Sequence, residues 1–453
     1  MAQLLTGILS GCISWLLNGV YLLLLLIGSP WIVWSAYRHG KYREGFAEKF
    51  LGRVPRNSWQ GPTIWLHAVS VGEVNLLAIM IRDLSTRHPD WRLVISTTTK
   101  SGYDLACSKY ADYAVFYAPL DFSWAVHAAL QRVQPDLLVL AELELWPNWI
   151  RAAQKQGARV AIVNGRLSDT SFRGYRRIRT LLAALLRQVD LVAVQNSEVA
   201  QRFAYLGAAP TTLHVIGSLK YDGAQSDRNN PKTQELKKLA HYKSSDVIWL
   251  AGSTQQPEEK IVLQVFTELV ADYPQLRLVL VPRHPERFNE VAQLLKESGL
   301  PWCRRSELGR SSVSTDNPSP YSVVLVDTIG ELGAWWGTAH IGFVGGTFGN
   351  RGGQNMIEPA AYGVATCFGP NTRNFRDIVA QLLAANAAEV LDDPAALSTF
   401  IRRALEDAPW AHQLGNRARQ FVASQQGATL RTVELLEALL EVASDNGKSS
   451  FAA

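Results

Sequence analysis

Four side chains have the type and setting for proton transfer or charge stabilisation: Glu73, Glu142, Glu144 and Lys220. Glu73 lies in TIWLHAVSVGEVN, residues 63–75, where a short apolar strand passes through turn residues 70–72 into a segment with helical spacing of Val74, Leu76, Leu77, Ile79 and Met80. The pattern predicts Glu73 in the first turn of a helix at the carboxyl end of a strand, the edge at which open α/β sheets bind ligands. A helix amino terminus favours the ionised carboxylate, which can then accept a proton. The same position also suits a glutamate that only caps its helix. Glu142 and Glu144, in AELELWPN at 141–148, stand two apart at another strand end before a proline-marked helix start. On extended backbone they point the same way, one reaching the ligand edge and the other supporting it, and spacing does not choose between them. Lys220, in GSLKYD, is either a solvated surface lysine or a cation placed to neutralise a leaving phosphate or a sugar carboxylate.

The densest glycine pattern is VGGTFGNRGGQNMIEPAAYG, residues 344–363. Gly345 and Gly346 follow a strand, while Gly349, Gly352 and Gly353 let backbone come close to a ligand. Asn355 opens a helix whose free amides, with those of the turn, suit phosphate. Glu358 is placed to accept from ribose hydroxyls, or forms a capping box with Asn355. Arg283 and His284, in VPRHPER, are donors fixed between prolines, and Gly330 and Glu331 begin a helix after VVLVD. Ser253 and Thr254, in AGSTQQPEEK, are predicted to cap a helix with Pro257 in its first turn, either as a purely structural cap or with their hydroxyls also touching substrate.

At 453 residues the chain is too long for one ordinary core, and 47% apolar residues is a globular composition. A formal charge of +5 is no polycation, and no nucleic-acid partner is expected. Four scattered cysteines without a C-x-x-C pair, and nine histidines without H-x-x-x-H spacing, argue against a disulfide framework or a metal cluster and for a reducing compartment. No D-x-D pair is present to hold a divalent cation, so chemistry without metal or cofactor is expected. Strand patterns start near residues 64, 92, 113, 136, 159, 190 and 213, then again near 246, 276, 321, 340, 364 and 388, separated by segments long enough for crossover helices. The polar stretch 221–232 divides the two series. The predicted fold is α/β: two Rossmann-like doubly wound domains facing across a cleft, with an N-terminal membrane-anchoring helix, the GT-B architecture by analogy. The divisions are 1–37 as anchor, 38–222 as the first domain, 223–236 as linker, 237–425 as the second domain, and 426–453 as a helix and tail returning to the first. One long helix is expected over about 410–442.

No charged residue precedes Arg38, and residues 15–34 are nearly all apolar, long enough to cross a bilayer. Neither the basic start nor the cleavage site of a signal peptide is present. Arg38, Lys41, Arg43, Lys49, Arg53 and Arg56 outnumber Glu44 and Glu48, which places the rest of the chain in the cytoplasm. Trp31, Trp34 and Tyr37 suit an interfacial belt, whereas Asn18, Gly19 and Pro30 fit a helix lying in the interface; either way the chain is membrane-bound. Arg173, Arg176, Arg177 and Arg179 are drawn to anionic headgroups or form a solvated helix face.

Taken in order, HAVSVGE, AELELWPN, NGRLSD, GSLKYD, AGSTQQPEE, PRHPER, GELG and GGTFGNRGGQNMIEP after a hydrophobic anchor resemble the lipid A Kdo (3-deoxy-D-manno-octulosonic acid) transferases of Gram-negative bacteria over nearly the whole chain. The resemblance implies a metal-independent inverting GT-B glycosyltransferase on the cytoplasmic face of the inner membrane. Its partners would be a CMP-Kdo donor and the lipid A precursor lipid IVA, to which one or two Kdo residues are added in lipopolysaccharide core biosynthesis. By the same resemblance Glu73 is the catalytic base, while Glu142, chosen over Glu144, and Lys220 stabilise the transition state. Arg283 and His284, then Ile329, Gly330 and Glu331, then Asn355, Met356, Ile357 and Glu358 bind CMP. Gln354 stands where the family often has histidine, Met356 where it has proline, and Gln256 and Pro257 replace a more acidic stretch, which bears on local geometry. The competing readings are a membrane-anchored nucleotide-binding module without turnover and a sugar-nucleotide epimerase.

Overall fold

Strands rich in Val, Ile and Leu on both faces must be covered on both faces, and the computed structural model supplies that cover twice. It describes residues 2–39, 43–309 and 321–450, with side chains over 14–38, 43–309 and 321–441; Lys41 and the side chain of Cys12 lie outside these. One unit comprises Met1–Gly223 with Gln426–Ala453, and the other Ala224–Gln425.

The first unit holds a parallel sheet of β1 (Thr63–His67), β2 (Arg92–Thr97), β3 (Ala114–Tyr117), β4 (Leu137–Ala141), β5 (Arg159–Gly165), β6 (Leu191–Val194) and β7 (Leu213–Val215) in the order β3-β2-β1-β4-β5-β6-β7. All five residues of β1 and of β4 are buried, as a strand with helices on both sides requires. On one face Trp65 packs edge-on against Phe116 and Trp149. On the other, Leu66 and Ile81 share a core with Val433 and Leu436 of the last helix.

That last helix is the first difference from expectation. The single helix over 410–442 is two, Ala408–Gln425 and Ala428–Ser450, because Gly427 takes the left-handed φ of 93°. Asp222 accepts from Gly427 N at 2.6 Å and from Thr429 N, capping the second helix.

The second unit repeats the plan with β8 (Val247–Thr254), β9 (Leu276–Pro282), β10 (Trp302–Arg304), β11 (Val323–Leu325), β12 (Ile341–Val344), β13 (Ala365–Phe368) and β14 (Glu389–Val390), in the order β10-β11-β9-β8-β12-β13-β14. Strand β10 has no counterpart in the sequence reading; three residues at a sheet edge leave too short a pattern. Ser253 and Thr254 end strand β8 rather than cap a helix, and Thr254 is fully buried. Part of the expected linker is structured. Pro231–Leu239 is a helix whose N-cap Asn230 accepts from Thr233 N, with Thr233 and Leu236 buried. Its apolar periodicity is too sparse to read from sequence.

The N-terminal helix runs over Ala2–His39, and its segment Ser14–Arg38 is long and apolar enough to cross a membrane. Leu23, Leu24, Leu26, Ile27 and Val33 are exposed on it. Two of its polar residues are satisfied inside the unit: Asn18 donates to Ser123 Oγ at 2.7 Å and accepts from Ser123 N, and Tyr21 donates to Asp121 at 3.0 Å.

Candidate active site

Because every strand of the first sheet is parallel, the residues that follow β1, β4, β5 and β7 collect at one edge. Glu73 follows β1 on the helix Val71–Leu76, which has Ser70 at its N-cap. The carboxylate accepts from Val69 N at 2.6 Å and from Ser70 Oγ at 3.2 Å, so the capping role is real and fixes the side chain. Burial pushes its pKa up, and the Glu142 carboxylate adds to this, against the bonds from Val69 and Ser70 and the charge of Arg166. A carboxylate raised in this way is a stronger base than the helix terminus alone implies.

Glu142 follows β4 with φ 58° and pairs with Arg166 Nε at 2.7 Å. Glu144, two residues on, accepts from Trp146 Nε1 at 2.6 Å. Burial pushes Glu144 up to about 7, with Glu73 and Glu142 contributing repulsion. Three carboxylates thus share one field with the guanidinium of Arg166. Arg166 lies in the NGRLSD run without having been assigned a role; the signal was a basic residue directly after a strand and a glycine.

This cluster sets a pH dependence of stability. Glu144 is neutral in both folded and unfolded chains below about 4.5, where its contribution is fully present, and that contribution is lost as pH rises through about 7. Glu144→Gln stays neutral and keeps an acceptor for Trp146. It is therefore expected to be more stable than the parent at pH 8 by about 1–2 kcal/mol, the shift being discounted for solvent screening, and equal at pH 4. Thermal unfolding at the two pH values measures this.

Lys220 is exposed on the short turn Leu219–Tyr221 that follows β7. The turn is tied to the end of β5: the fully buried Asn164 accepts from Leu219 N at 3.2 Å and from Gln195 Nε2 at 3.1 Å.

In the second unit the three predicted segments also come together. Arg283, after β9, donates from Nε to Gln354 Oε1 at 3.2 Å, joining the glycine-rich loop. His284 stands 3.7 Å from Glu286. Ile329 is 81% exposed and Gly330 has φ 84°. A Cβ on Gly333 would lie 3.9 Å from Glu358 Oε2, which places 329–333 against 355–358. Asn355 donates from its side chain to Glu358 at 3.0 Å and accepts from Ile357 N, so the two side chains are paired, but Glu358 does not take the backbone amide that a capping box requires. Burial pushes the Glu358 carboxyl up against the Asn355 bond. The side chains of Met356 and Ile357 are buried, leaving only main chain for a ligand.

Two expectations change. Glu331 is clasped by Arg305 at 2.9 and 3.0 Å, Thr328 at 2.6 Å and Lys232 at 3.2 Å. Burial pushes its pKa up, but these partners outweigh it and hold the carboxyl below its usual value. The amides after β12 are not free for phosphate. Glu258, 1% exposed, accepts from Gln255 N and Gly346 N through one oxygen and from Thr347 N and Phe348 N through the other, at 2.7–3.0 Å. An internal carboxylate occupies the anion nest.

The sequence profile of the family described as 3-Deoxy-D-manno-octulosonic-acid transferase (kdotransferase) matches residues 41–223. The chain is 34% identical over 429 residues to the 3-deoxy-D-manno-octulosonic acid transferase of Haemophilus influenzae, covering 93% of this chain and 98% of that one. It is 32% identical over 434 residues to the enzyme of the same description from Bordetella pertussis, with 93% and 99% covered. Among solved structures, MurG of Acinetobacter baumannii superposes with a TM-score of 0.52 at 13% identity over 83% of this chain and 99% of that one. A putative UDP-N-acetylglucosamine 2-epimerase from Listeria monocytogenes gives a TM-score of 0.55 at 11% identity over 84% and 97%. These two likenesses concern fold alone, and they agree with the paired seven-stranded parallel sheets. Sequence identity sustained over nearly the full length shows that the chain belongs to the 3-deoxy-D-manno-octulosonic acid (Kdo) transferases, glycosyltransferases here built on two GT-B-type Rossmann-like sheets.

Proposed function

We propose that this Kdo transferase moves Kdo from CMP-Kdo to lipid IVA with inversion at the anomeric carbon, without a metal ion, and with Glu73 as general base. The observation that supports this most is the Glu73 carboxylate itself, half-buried, fixed by two cap bonds and raised in basicity by burial and by Glu142. Glu73 takes the proton from the acceptor hydroxyl as that oxygen bonds to the anomeric carbon. The bond from that carbon to the CMP phosphate oxygen breaks, and CMP leaves with the electron pair. Lys220 offsets charge developing in the transition state, and Glu142, oriented by Arg166, completes the field. In the second unit Arg283 and His284 address the phosphate, the main chain of Gly330, Asn355 and Met356 contributes amides, Ile357 holds Asn355 in place through its own amide, and Glu358 accepts from the ribose. The conformation of Glu331 is set by Arg305 and Lys232, so its part is to hold the 329–331 turn. The N-terminal helix anchors the enzyme in the inner membrane with both units in the cytoplasm, where Arg43, Lys49, Arg53 and Arg56 face anionic lipid.

Stereochemistry tests the reading. The NMR coupling pattern of product made from CMP-Kdo and lipid IVA, with chelator present, should show the anomeric configuration opposite to the donor's. Retention, or activity abolished by the chelator and restored by a divalent cation, would contradict it.

A further inference from the structure

A cavity of about 380 Å³ opens in the second unit where strands β8 and β12 begin, with Val247 and Ile341, their first residues, in its wall. The segments proposed for CMP follow the other ends of parallel strands, so the two places lie on opposite edges of one sheet, about 25 Å apart along the eight residues of β8. The cavity is large enough for a small ligand. Its walls carry Arg228, Lys237 and Arg419 together with His340, His412 and Asn416, and no aspartate or glutamate among the described residues that line it.

The local structure is built to hold these cations without a counter-charge. The helix Ala408–Gln425 presents His412, Asn416 and Arg419 at helical spacing on one face. That helix sits against the turn after residue 361 so closely that a Cβ on Gly415 would meet Gly363 O at 2.1 Å. Arg228 is aimed from the other side by bonds to two carbonyls, Nε to Tyr362 O at 2.9 Å and Nη1 to Gly337 O at 3.2 Å. His340 Nδ1 accepts from Ile248 N at 3.0 Å, which puts the proton of the neutral ring on Nε2 as a donor. Burial and the neighbouring Arg419 hold the Arg228 guanidinium below its usual value, and burial and Arg228 do the same to Lys237. Half-buried Arg228 has only carbonyl partners among the described residues, and half-buried Lys237 and exposed Arg419 share its cavity without a lining acid, which leaves an electrostatic demand unfilled.

We propose that this cavity is a second ligand site, distinct from the candidate active site, that binds a phosphate monoester through Arg228, Lys237 and Arg419. A phosphate monoester carries close to two negative charges at neutral pH and several acceptor oxygens, matching three converging cations better than a single carboxylate does. The apolar side of the cavity, with Val247, Ile341 and Leu405, accommodates the carbon skeleton that bears the phosphate.

The test uses the full chain, with ribose 5-phosphate as the free phosphate monoester and vesicles with or without phosphatidic acid as the lipid-borne one. Ribose 5-phosphate should raise the Tm saturably, or phosphatidic acid should recruit the protein to vesicles more than phosphatidylcholine alone does, and whichever occurs identifies the source. Lys237→Gln with Arg419→Gln should weaken that response about tenfold or more, the loss that goes with one charge-assisted hydrogen bond. Asn416→Asp, which adds a carboxylate from an exposed helix position, should weaken it as well. The KM for CMP-Kdo, whose phosphate is a diester, should be the same in parent and variants. Equal responses in parent and all variants, no response to either phosphate source, or a KM for CMP-Kdo that rises together with the loss of the ribose 5-phosphate shift would overturn the proposal.

Discussion

Glu73→Gln is expected to lower the rate of Kdo transfer by about 10²–10⁴-fold, the range for removal of a general base. The substitution removes charge and little else. A glutamine oxygen still accepts from Val69 N and its amide still reaches Ser70 Oγ, the two contacts that fix Glu73. Binding of the nucleotide donor, proposed for the second unit, should keep its Kd. Stability at neutral pH should be equal or slightly higher, because burial and Glu142 make the ionised Glu73 the disfavoured form in the folded chain. Single-turnover rates with donor saturating separate these effects. A variant within tenfold of the parent would remove Glu73 from the mechanism.

Glu258→Gln should destabilise the second unit by about 2–5 kcal/mol. Each carboxylate oxygen accepts from two backbone amides, Gln255 and Gly346 on one and Thr347 and Phe348 on the other. Glutamine replaces one oxygen by an NH₂ donor, so two buried amides lose their acceptor and face another donor, at about 1–3 kcal/mol each. The chain has no room to move away, since a Cβ on Gly345 would lie 2.8 Å from the Glu258 carboxylate and 2.6 Å from Thr254 Cα. Calorimetric unfolding should show the loss in the transition of the second unit, with weaker CMP binding because the loop it holds carries Gln354 and Asn355. Unchanged stability would mean that the glycine-rich loop is held by other contacts.

Both predictions start at positions that differ in how far the sequence exposes them. Glu73 was legible because everything that defines it is local: a buried strand, a turn and a helix start within thirteen residues. The strands were legible for a related reason, since a run buried on both faces is apolar throughout, as β1 and β4 are. What was not legible was pairing at a distance. Glu258 carries no role readable in its own segment, since nothing local links it to amides about ninety residues later. The same holds for Glu331 and its clasp from Arg305 and Lys232. Ser253 and Thr254 misled because hydroxyl residues before a proline resemble a cap, whereas β8 continues through Ser253 at φ 56°. The final helix was read as one because Gly427 interrupts the apolar spacing for a single residue, yet that residue's left-handed backbone ends the continuity. Arg166 was visible in its motif, but its pairing with Glu142 needed β4 and β5 to be neighbours in the sheet.

The central claim, Kdo transfer to a lipid acceptor, is tested most directly by mass spectrometry of lipid IVA incubated with CMP-Kdo and the purified full-length chain. The account predicts acceptor heavier by one or more whole Kdo units, with an equal number of CMP molecules released. Acceptor of unchanged mass, with the nucleotide sugar left intact or converted to an isomer, would contradict it.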